Sequence, residues 1–196
     1  GAKSRLFLDY QFTGQNVDAF QLVAGQSPDT TTRSHRARAT LFRSLGNGAS
    51  AEGTIGFDRV GTLLTPEPNA VGAMVSTGGL ETLGPQAIIP LNRAMNNFRA
   101  GGQYRHNSGR FDWGLGGTFN RRQLNGAETD AHRGYFSFGN DFGRDSVTNL
   151  RLGIPSMHLI SIGDIHRGFR NWEGEAFVFG RWRPSAYWPR RRWVPR

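Results

Sequence analysis

The sequence contains no cysteine, only one lysine and no long apolar run. Without cysteine there is no disulfide framework, no cysteine-ligated zinc site and no thiol nucleophile. No stretch of about 18 apolar residues occurs, which excludes a membrane-spanning helix. A membrane-spanning β-barrel stays open, because its strands alternate apolar and polar residues and never form a long apolar run.

Basic residues are in excess: 24 Lys and Arg face 15 Asp and Glu, giving a formal net charge of +9. The last 16 residues, 181–196, hold six arginines, three tryptophans, three prolines and no acid. Removing them leaves 18 basic and 15 acidic residues, so residues 1–180 carry only +3. Much of the basic character therefore belongs to one short C-terminal segment.

Residues 181–196 are predicted to be an atypical tail, separate from a domain over residues 1–180. Arginine beside tryptophan can bind phosphates and stack on bases, so one interpretation is an arm for nucleic acid or lipid headgroups. The simpler interpretation is a disrupted reading frame, since GC-rich DNA translated out of frame yields Arg, Pro and Trp. The chain begins without Met and lacks a signal-peptide pattern, so both ends are expected to be cuts through a longer protein.

Apolar and polar residues alternate with a period of two in five segments of about ten residues. These segments are Ser4–Thr13, Ser34–Leu45, Ser50–Arg59, Asn97–His106 and Arg110–Arg121. Arg170–Arg183 is predicted to be a sixth long strand, although Ala176 and Val178 compete with Phe177 and Phe179 for its apolar side. About ten residues suffice for a tilted strand to cross a bilayer, whereas strands of soluble proteins are mostly five or six residues long.

The connections between these strands alternate between long and short. Tight turns are predicted at 46–48 and 107–109, and long loops at Gly14–Arg33, Val60–Asn96 and Arg122–Phe169. Outer-membrane barrels show this asymmetry, with long extracellular loops and short periplasmic turns. The fold is therefore predicted to be all-β, an antiparallel up-and-down meander forming a partial transmembrane barrel.

Short elements are predicted inside the third long loop. Asp145–Gly153 is predicted to be a helix, capped by Asp145 or Ser146 and ended by Gly153 and Pro155. Gly134–Gly139 and His158–Gly163 are candidates for short strands.

Seven aromatic residues lie on the predicted outward faces of the long strands, several near strand ends: Tyr10, Phe12, Phe98, Tyr104, Phe111, Trp113 and Phe119. They are predicted to form the lipid-facing aromatic girdle of a barrel. The predicted inward faces are polar, as a hydrated or plugged lumen requires: Arg36, Arg38, Glu52, Asp58, Arg99, Arg105, Asp112 and Asn120. A soluble sandwich shows the same alternation, so only strand length and loop asymmetry favour the barrel.

No catalytic or metal constellation is identifiable, so neither an enzyme nor a cofactor is expected. The five histidines lack metal-ligand spacing, and nucleophile-elbow, zinc-protease and phosphate-loop motifs are missing from the sequence. Glu173 and Glu175 share one strand face without an acid–base partner and are interpreted as a hydrated pair. Four polar residues of the third long loop are candidates for ligand binding: Asp164, His166, Arg167 and Arg170.

Three segments resemble the barrel of Oar-like TonB-dependent outer-membrane receptors: Phe57–Gly72, Asn140–Pro155 and Gly168–Glu173. The resemblance covers roughly residues 5–180. It departs from the family pattern at Phe179-Gly-Arg-Trp-Arg183, where the family places acids before the tryptophan, and beyond Arg183, where the next strand is missing.

The resemblance implies a barrel of about 22 strands with a plugged lumen, of which this chain would supply six strands. The plug, the energy-coupling box and a carboxypeptidase-regulatory-like domain would lie elsewhere in the complete protein. The implied partners are outer-membrane lipid or lipopolysaccharide, a TonB-type coupling protein and an unknown solute. An uncoupled porin or adhesin-like barrel and a soluble basic nucleic-acid-binding β protein remain the alternatives, the last disfavoured by the position of the charge.

Overall fold

The computed structural model describes residues 3–19, 27–68, 70–127 and 131–183, which contain nine strands and one helix. In chain order they are β1 (Ser4–Val17), β2 (Asp29–Gly46), β3 (Ala49–Thr65), β4 (Met74–Thr77), β5 (Leu91–Asn107), β6 (Phe111–Ala127), β7 (Tyr135–Phe138), α1 (Ser146–Leu152), β8 (Met157–Leu159) and β9 (His166–Trp182). Six long strands form a large sheet in the order β1-β2-β3-β5-β6-β9, and β4, β7 and β8 form a small one.

The large sheet is an antiparallel meander, which confirms the predicted fold class. Its pairing is continuous except for one irregularity between Ser44 and Gly46. Within the described residues the sheet is open, because β1 and β9 each pair with a neighbour on one side only. It therefore has the form of a barrel wall that is not closed on itself.

Two predicted hairpin turns are confirmed at one end of this sheet, which we call the turn end. Gly46, Asn47 and Gly48 all have positive φ, at 83°, 50° and 75°. In the second turn Gly109 has a φ of 81° and its amide donates to the side-chain oxygen of Asn107 at 2.8 Å. Glycine and asparagine tolerate this conformation, so local chemistry sets both turns.

The long strands run further than predicted toward the opposite end, which we call the loop end. β2 begins at Asp29 instead of Ser34, β3 ends at Thr65 instead of Arg59, and β5 begins at Leu91 instead of Asn97. β6 and β9 are extended in the same direction. Backbone hydrogen bonds continue there without the apolar–polar alternation on which the prediction relied.

Cross-strand pairing divides the side chains of the large sheet between an apolar face and a polar face. Directly paired residues share a face, and successive residues alternate between the two faces. Val178 pairs with Leu115 and Ala176 with Gly117, so both belong to the apolar face. Phe177 and Phe179 belong to the polar face, which settles the orientation of β9.

The buried core of the described residues lies outside the large sheet, in a unit built from the second and third long loops. We call this unit, residues 70–90 and 131–165, the loop domain. β4 pairs with β7 in parallel, and β7 pairs with β8 antiparallel. Ile89 and Ala131 are fully buried there, and Phe138 is nearly so.

The predicted helix and short strands are present in the loop domain. Asp145 caps α1 by accepting from the amide of Thr148, and Gly153 ends it in the left-handed conformation at a φ of 67°. The strand predicted at His158–Gly163 is wrong in its bounds: β8 covers Met157–Leu159 only, where the pairing with β7 stops.

Arg181 and Trp182 continue β9, and residues 184–196 lie outside the described residues. The separation of a tail after residue 180 therefore stays a prediction. No helix in the described ranges has the length and apolar content needed to span a membrane.

Candidate functional site at the loop end

All seven residues of the predicted girdle lie on the apolar face of the large sheet. Tyr10, Phe12, Phe98 and Phe119 lie toward its loop end, and Tyr104, Phe111 and Trp113 lie toward its turn end. Their rings associate across strands, with centroids 5.4 Å apart for Tyr104 and Trp113. Small and aliphatic residues occupy the rows between the two groups, among them Ala39, Ile55 and Ala100. The aromatic rings thus border an apolar band on both sides, and their contact with lipid stays a prediction.

The polar face carries an ionic network toward the loop end. Asp58 accepts from Arg36 at 3.1 Å and pairs with Arg99 at 3.7 Å, so one carboxylate on β3 joins strands β2 and β5. Arg122 on β6 pairs with Glu173 on β9 at 3.2 Å. These groups are partly exposed to solvent, so each pair adds little stability. Their presence requires water or polar protein on that side of the wall.

Two glycines of β6 make room for aromatic rings on the polar face. A Cβ atom on Gly116 would lie 2.6 Å from the Phe177 ring, and one on Gly114 would lie 2.6 Å from the Phe179 ring. The Phe177 and Phe179 rings therefore lie close to the backbone of their neighbouring strand. Arg105 lies over the Phe179 ring, 5.2 Å from its centroid. Glycine on the polar face of this strand thus admits the close approach of a ring.

The loop domain is held by buried polar contacts. Asn149 is fully buried, and its side-chain amide donates to the carbonyls of Gly139 and Asp141 at 2.9 and 3.0 Å. Ser146 donates to the carbonyl of Gly78 at 2.9 Å, which ties α1 to the second long loop. These bonds fix the two loops to one another.

Asp145 and His132, in the loop domain, have pKa values below their ordinary ones. The hydrogen bonds from the hydroxyl and amide of Thr148 lower the pKa of Asp145. Burial, and then the charge of Arg133, lower the pKa of His132, which favours its neutral form. Neither group lies in an arrangement that could carry out catalysis.

A cleft of about 730 Å³ opens between the loop domain and the polar face at the loop end. Arg93 on β5 and Arg167 on β9 both pair with Gly126 on β6. Because glycine has no side chain, nothing on β6 separates the two arginines at this position. The remaining lining is mixed: Ile88, Leu91, Ser161, Ile162, Gly163, Asp164, Ile165 and Phe169. A cationic floor with apolar walls suits a solute that has both an acidic and an apolar part.

The four predicted ligand candidates do not form one group. Asp164 and Arg167 line the cleft. His166 and Arg170 belong to strand positions of the opposite face, and Arg170 donates to the side-chain oxygen of Asn125 at 2.8 Å. The backbone amide of His166 donates to Asp164 at 2.8 Å, and this bond, with a second from the His166 ring, lowers the pKa of Asp164.

Sequence reasoning missed Arg93, Phe169 and the isoleucines of the cleft. These residues belong to strand extensions and loop segments where apolar and polar residues do not alternate, so no local signal marked them. Within the described residues, no group of three or more His, Asp or Glu side chains is arranged to hold a metal ion.

Comparison with known proteins gives one match. A family profile described as "Outer membrane beta barrel domain" matches residues 13–186. No curated protein and no solved structure matches the chain.

Proposed function

We propose that the chain forms part of the wall of a TonB-dependent, Oar-like receptor. The proposal proceeds from its family: the chain belongs to the outer membrane beta barrel domain family and so lies in the outer membrane of a Gram-negative bacterium. In this proposal the polar face borders the lumen and the apolar face borders lipid. The loop end is extracellular, since long loops lie outside in such barrels. We propose that the chain has no enzymatic role.

The observation that carries the proposal is the loop domain. The second and third long loops are packed together around Ile89 and Asn149, beside a cleft lined by Arg167 and Asp164. Binding surfaces of this kind are built from loops held by a rigid scaffold. An uncoupled porin needs only an open lumen, whereas a receptor needs such a structured surface to capture a scarce solute.

The ionic network also supports a receptor with a filled lumen. Arg36, Asp58 and Arg99 would face the lumen in this arrangement. Such charged side chains are compatible with a lumen that contains water or a polar plug. We propose that the complete protein supplies that plug, together with the segment that contacts the TonB-type coupling protein.

Electrical conductance distinguishes the receptor from the porin. The complete protein, reconstituted in a planar bilayer, is expected to show no steady ion conductance, because the plug closes its lumen. Stable conductance of the order of an open porin would overturn the receptor assignment and leave the uncoupled barrel.

Orientation is tested separately, and the lack of native cysteine makes the test clean. Ile162→Cys, at a position 90% exposed in the loop domain, is expected to react with a membrane-impermeant maleimide on intact cells. Ser108→Cys, in a turn-end hairpin, is the matched control and is expected to react only after the outer membrane is permeabilised. The reverse pattern would place the loop end in the periplasm.

A further inference from the structure

The two faces of the large sheet differ in the charges that they carry. Six strand carboxylates lie on the polar face: Asp9, Glu52, Asp58, Asp112, Glu173 and Glu175. On the apolar face of the described strands the one carboxylate is Asp29, in the outermost pair at the loop end of β2. Cations on the apolar face are therefore almost without acidic counter-ions.

Those cations are concentrated immediately beyond the apolar band, at the loop end. We call these four arginines the arginine belt: Arg33, Arg59, Arg121 and Arg170. Three of these arginines lie two positions beyond the last aromatic residue that their strand places on the apolar face: Arg59 follows Phe57, Arg121 follows Phe119, and Arg170 precedes Trp172. At the turn end, the apolar face of the described strands carries one arginine, Arg43.

The belt side chains are held by neutral partners. Arg59 donates to the side-chain oxygen of Asn96 at 3.2 Å, and Arg170 donates to that of Asn125 at 2.8 Å. The guanidinium of Arg121 lies 4.5 Å from the centroid of the Trp172 ring. No carboxylate within the described residues pairs with a belt arginine, so their charges remain available to an anion.

The Arg170 side chain also points away from the apolar band. The guanidinium of Arg170 lies over Gly168, two positions nearer the loop end, where a Cβ atom would come within 3.3 Å of it. Long cationic side chains extend in this way toward the polar surface of a membrane. The belt thus lies at the level where lipid headgroups meet the acyl layer.

We propose that the arginine belt binds the phosphorylated headgroup of a lipopolysaccharide-type lipid of the outer leaflet. The proposal rests on charge complementarity: guanidinium groups form strong, often bidentate hydrogen bonds to phosphate, and anionic lipid surfaces attract such clusters. It rests on the proposed extracellular position of the loop end, which the cysteine labelling tests separately, and it holds for a coupled receptor and for an open porin alike.

A groove below the belt fits the apolar part of the same lipid. Ala37 and Ala39 of β2 lie between the larger side chains of β1 and β3, and the groove that they floor has a volume of about 610 Å³. Tyr10 lines the groove, and its hydroxyl lies 3.0 Å from a ring nitrogen of His35, two residues nearer the loop end than Ala37. An acyl chain in this groove would place its headgroup beside Arg33 and Arg59.

The test measures retention of deep-rough lipopolysaccharide by the complete protein in detergent, by native mass spectrometry. In Arg59→Gln/Arg170→Gln we expect binding to be roughly 30-fold weaker, since each arginine beside an anionic lipid surface contributes about a factor of five. The matched control, Arg38→Gln/Arg43→Gln, removes the same charge from the polar face and the turn end and is expected to bind normally. Wild-type binding is expected to weaken with added salt.

Two further binding measurements identify the part of the lipid that is bound. Dephosphorylated lipid of the same acyl composition is expected to bind poorly, and inorganic phosphate is expected not to compete at millimolar concentration. Equal losses in both double variants, unchanged binding in the belt variant, or full competition by inorganic phosphate would each overturn the proposal. If the belt double variant does not fold, the single variants Arg33→Gln and Arg121→Gln carry the same test, each expected to be about fivefold weaker.

Discussion

The close approach of Phe177 to Gly116 allows the most direct test of the packing on the polar face. In Gly116→Ala the new methyl group would lie 2.6 Å from the Phe177 ring, 2.7 Å from the carbonyl oxygen of Gly102 and 3.0 Å from the Cβ atom of Gln103. Carbon atoms pack best at about 3.5–4.0 Å, so the ring or the β5–β6 pairing has to move by about 1 Å. Overpacking of this kind typically costs about 1–3 kcal/mol.

A matched control separates this cost from the effect of glycine on the unfolded chain. Gly174→Ala makes the same substitution in the adjacent strand, where the added methyl group meets no atom within 4 Å. Replacing glycine by alanine restricts both unfolded chains equally and favours folding by about 0.4–1 kcal/mol. The difference in unfolding free energy between the two variants therefore reports the overpacking alone.

The assay is reversible unfolding of the complete protein in lipid vesicles by guanidinium, followed by tryptophan fluorescence. We expect Gly116→Ala to be less stable than Gly174→Ala by about 1–3 kcal/mol. In Phe177→Leu, the same glycine substitution should cost about 1 kcal/mol less, because the ring no longer opposes it. Equal stability of the two alanine variants would refute the reasoning.

Three further predictions concern the loop domain and the apolar face. Asn149→Ala removes the two hydrogen bonds that the buried side-chain amide donates to the carbonyls of Gly139 and Asp141. We expect limited proteolysis of the loop domain to accelerate about tenfold or more, whereas Arg151→Ala, on the exposed side of the same helix, should leave the rate unchanged. Because the pKa of Asp145 is lowered in the folded state, its cap is intact above the ordinary aspartate pKa of about 3.9 and is lost as pH falls through the lower folded value. The amide resonance of Thr148 should therefore titrate below pH 3.9, and a midpoint above that value would contradict the cap. The chain of 196 residues alone, with Val178 80% exposed on its apolar face, is expected to aggregate without detergent. A monodisperse, cooperatively melting monomer on gel filtration would contradict this.

Features with a local cause were predictable from the sequence. Asn47 and Gly48 mark their hairpin by a backbone conformation that few residues adopt, and Asp145 and Gly153 mark the two ends of α1. The apolar face was visible in the alternation itself, since one residue in two along each long strand is apolar or small.

Features that depend on distant pairing were not predictable. Nothing local to Met74 indicates that it pairs with Tyr135, because partners so far apart are chosen by the sheet that brings their loops together. The facing of β9 was ambiguous because Phe177 is apolar yet lies on the polar face, where a neighbouring glycine admits it. The cleft combines both problems: Arg93 and Arg167 become neighbours only through β6.

The parallel pairing of β4 with β7 also orders events during assembly. The chain between them contains the whole β5–β6 hairpin, so we expect β4 to pair with β7 after that hairpin has inserted. Closing so long a loop in an unfolded chain is entropically costly, whereas an inserted hairpin holds both ends nearby. Formation of the loop domain is therefore expected to be a late step. Protection of its backbone amides from hydrogen exchange would then indicate that this part of the wall has completed its insertion.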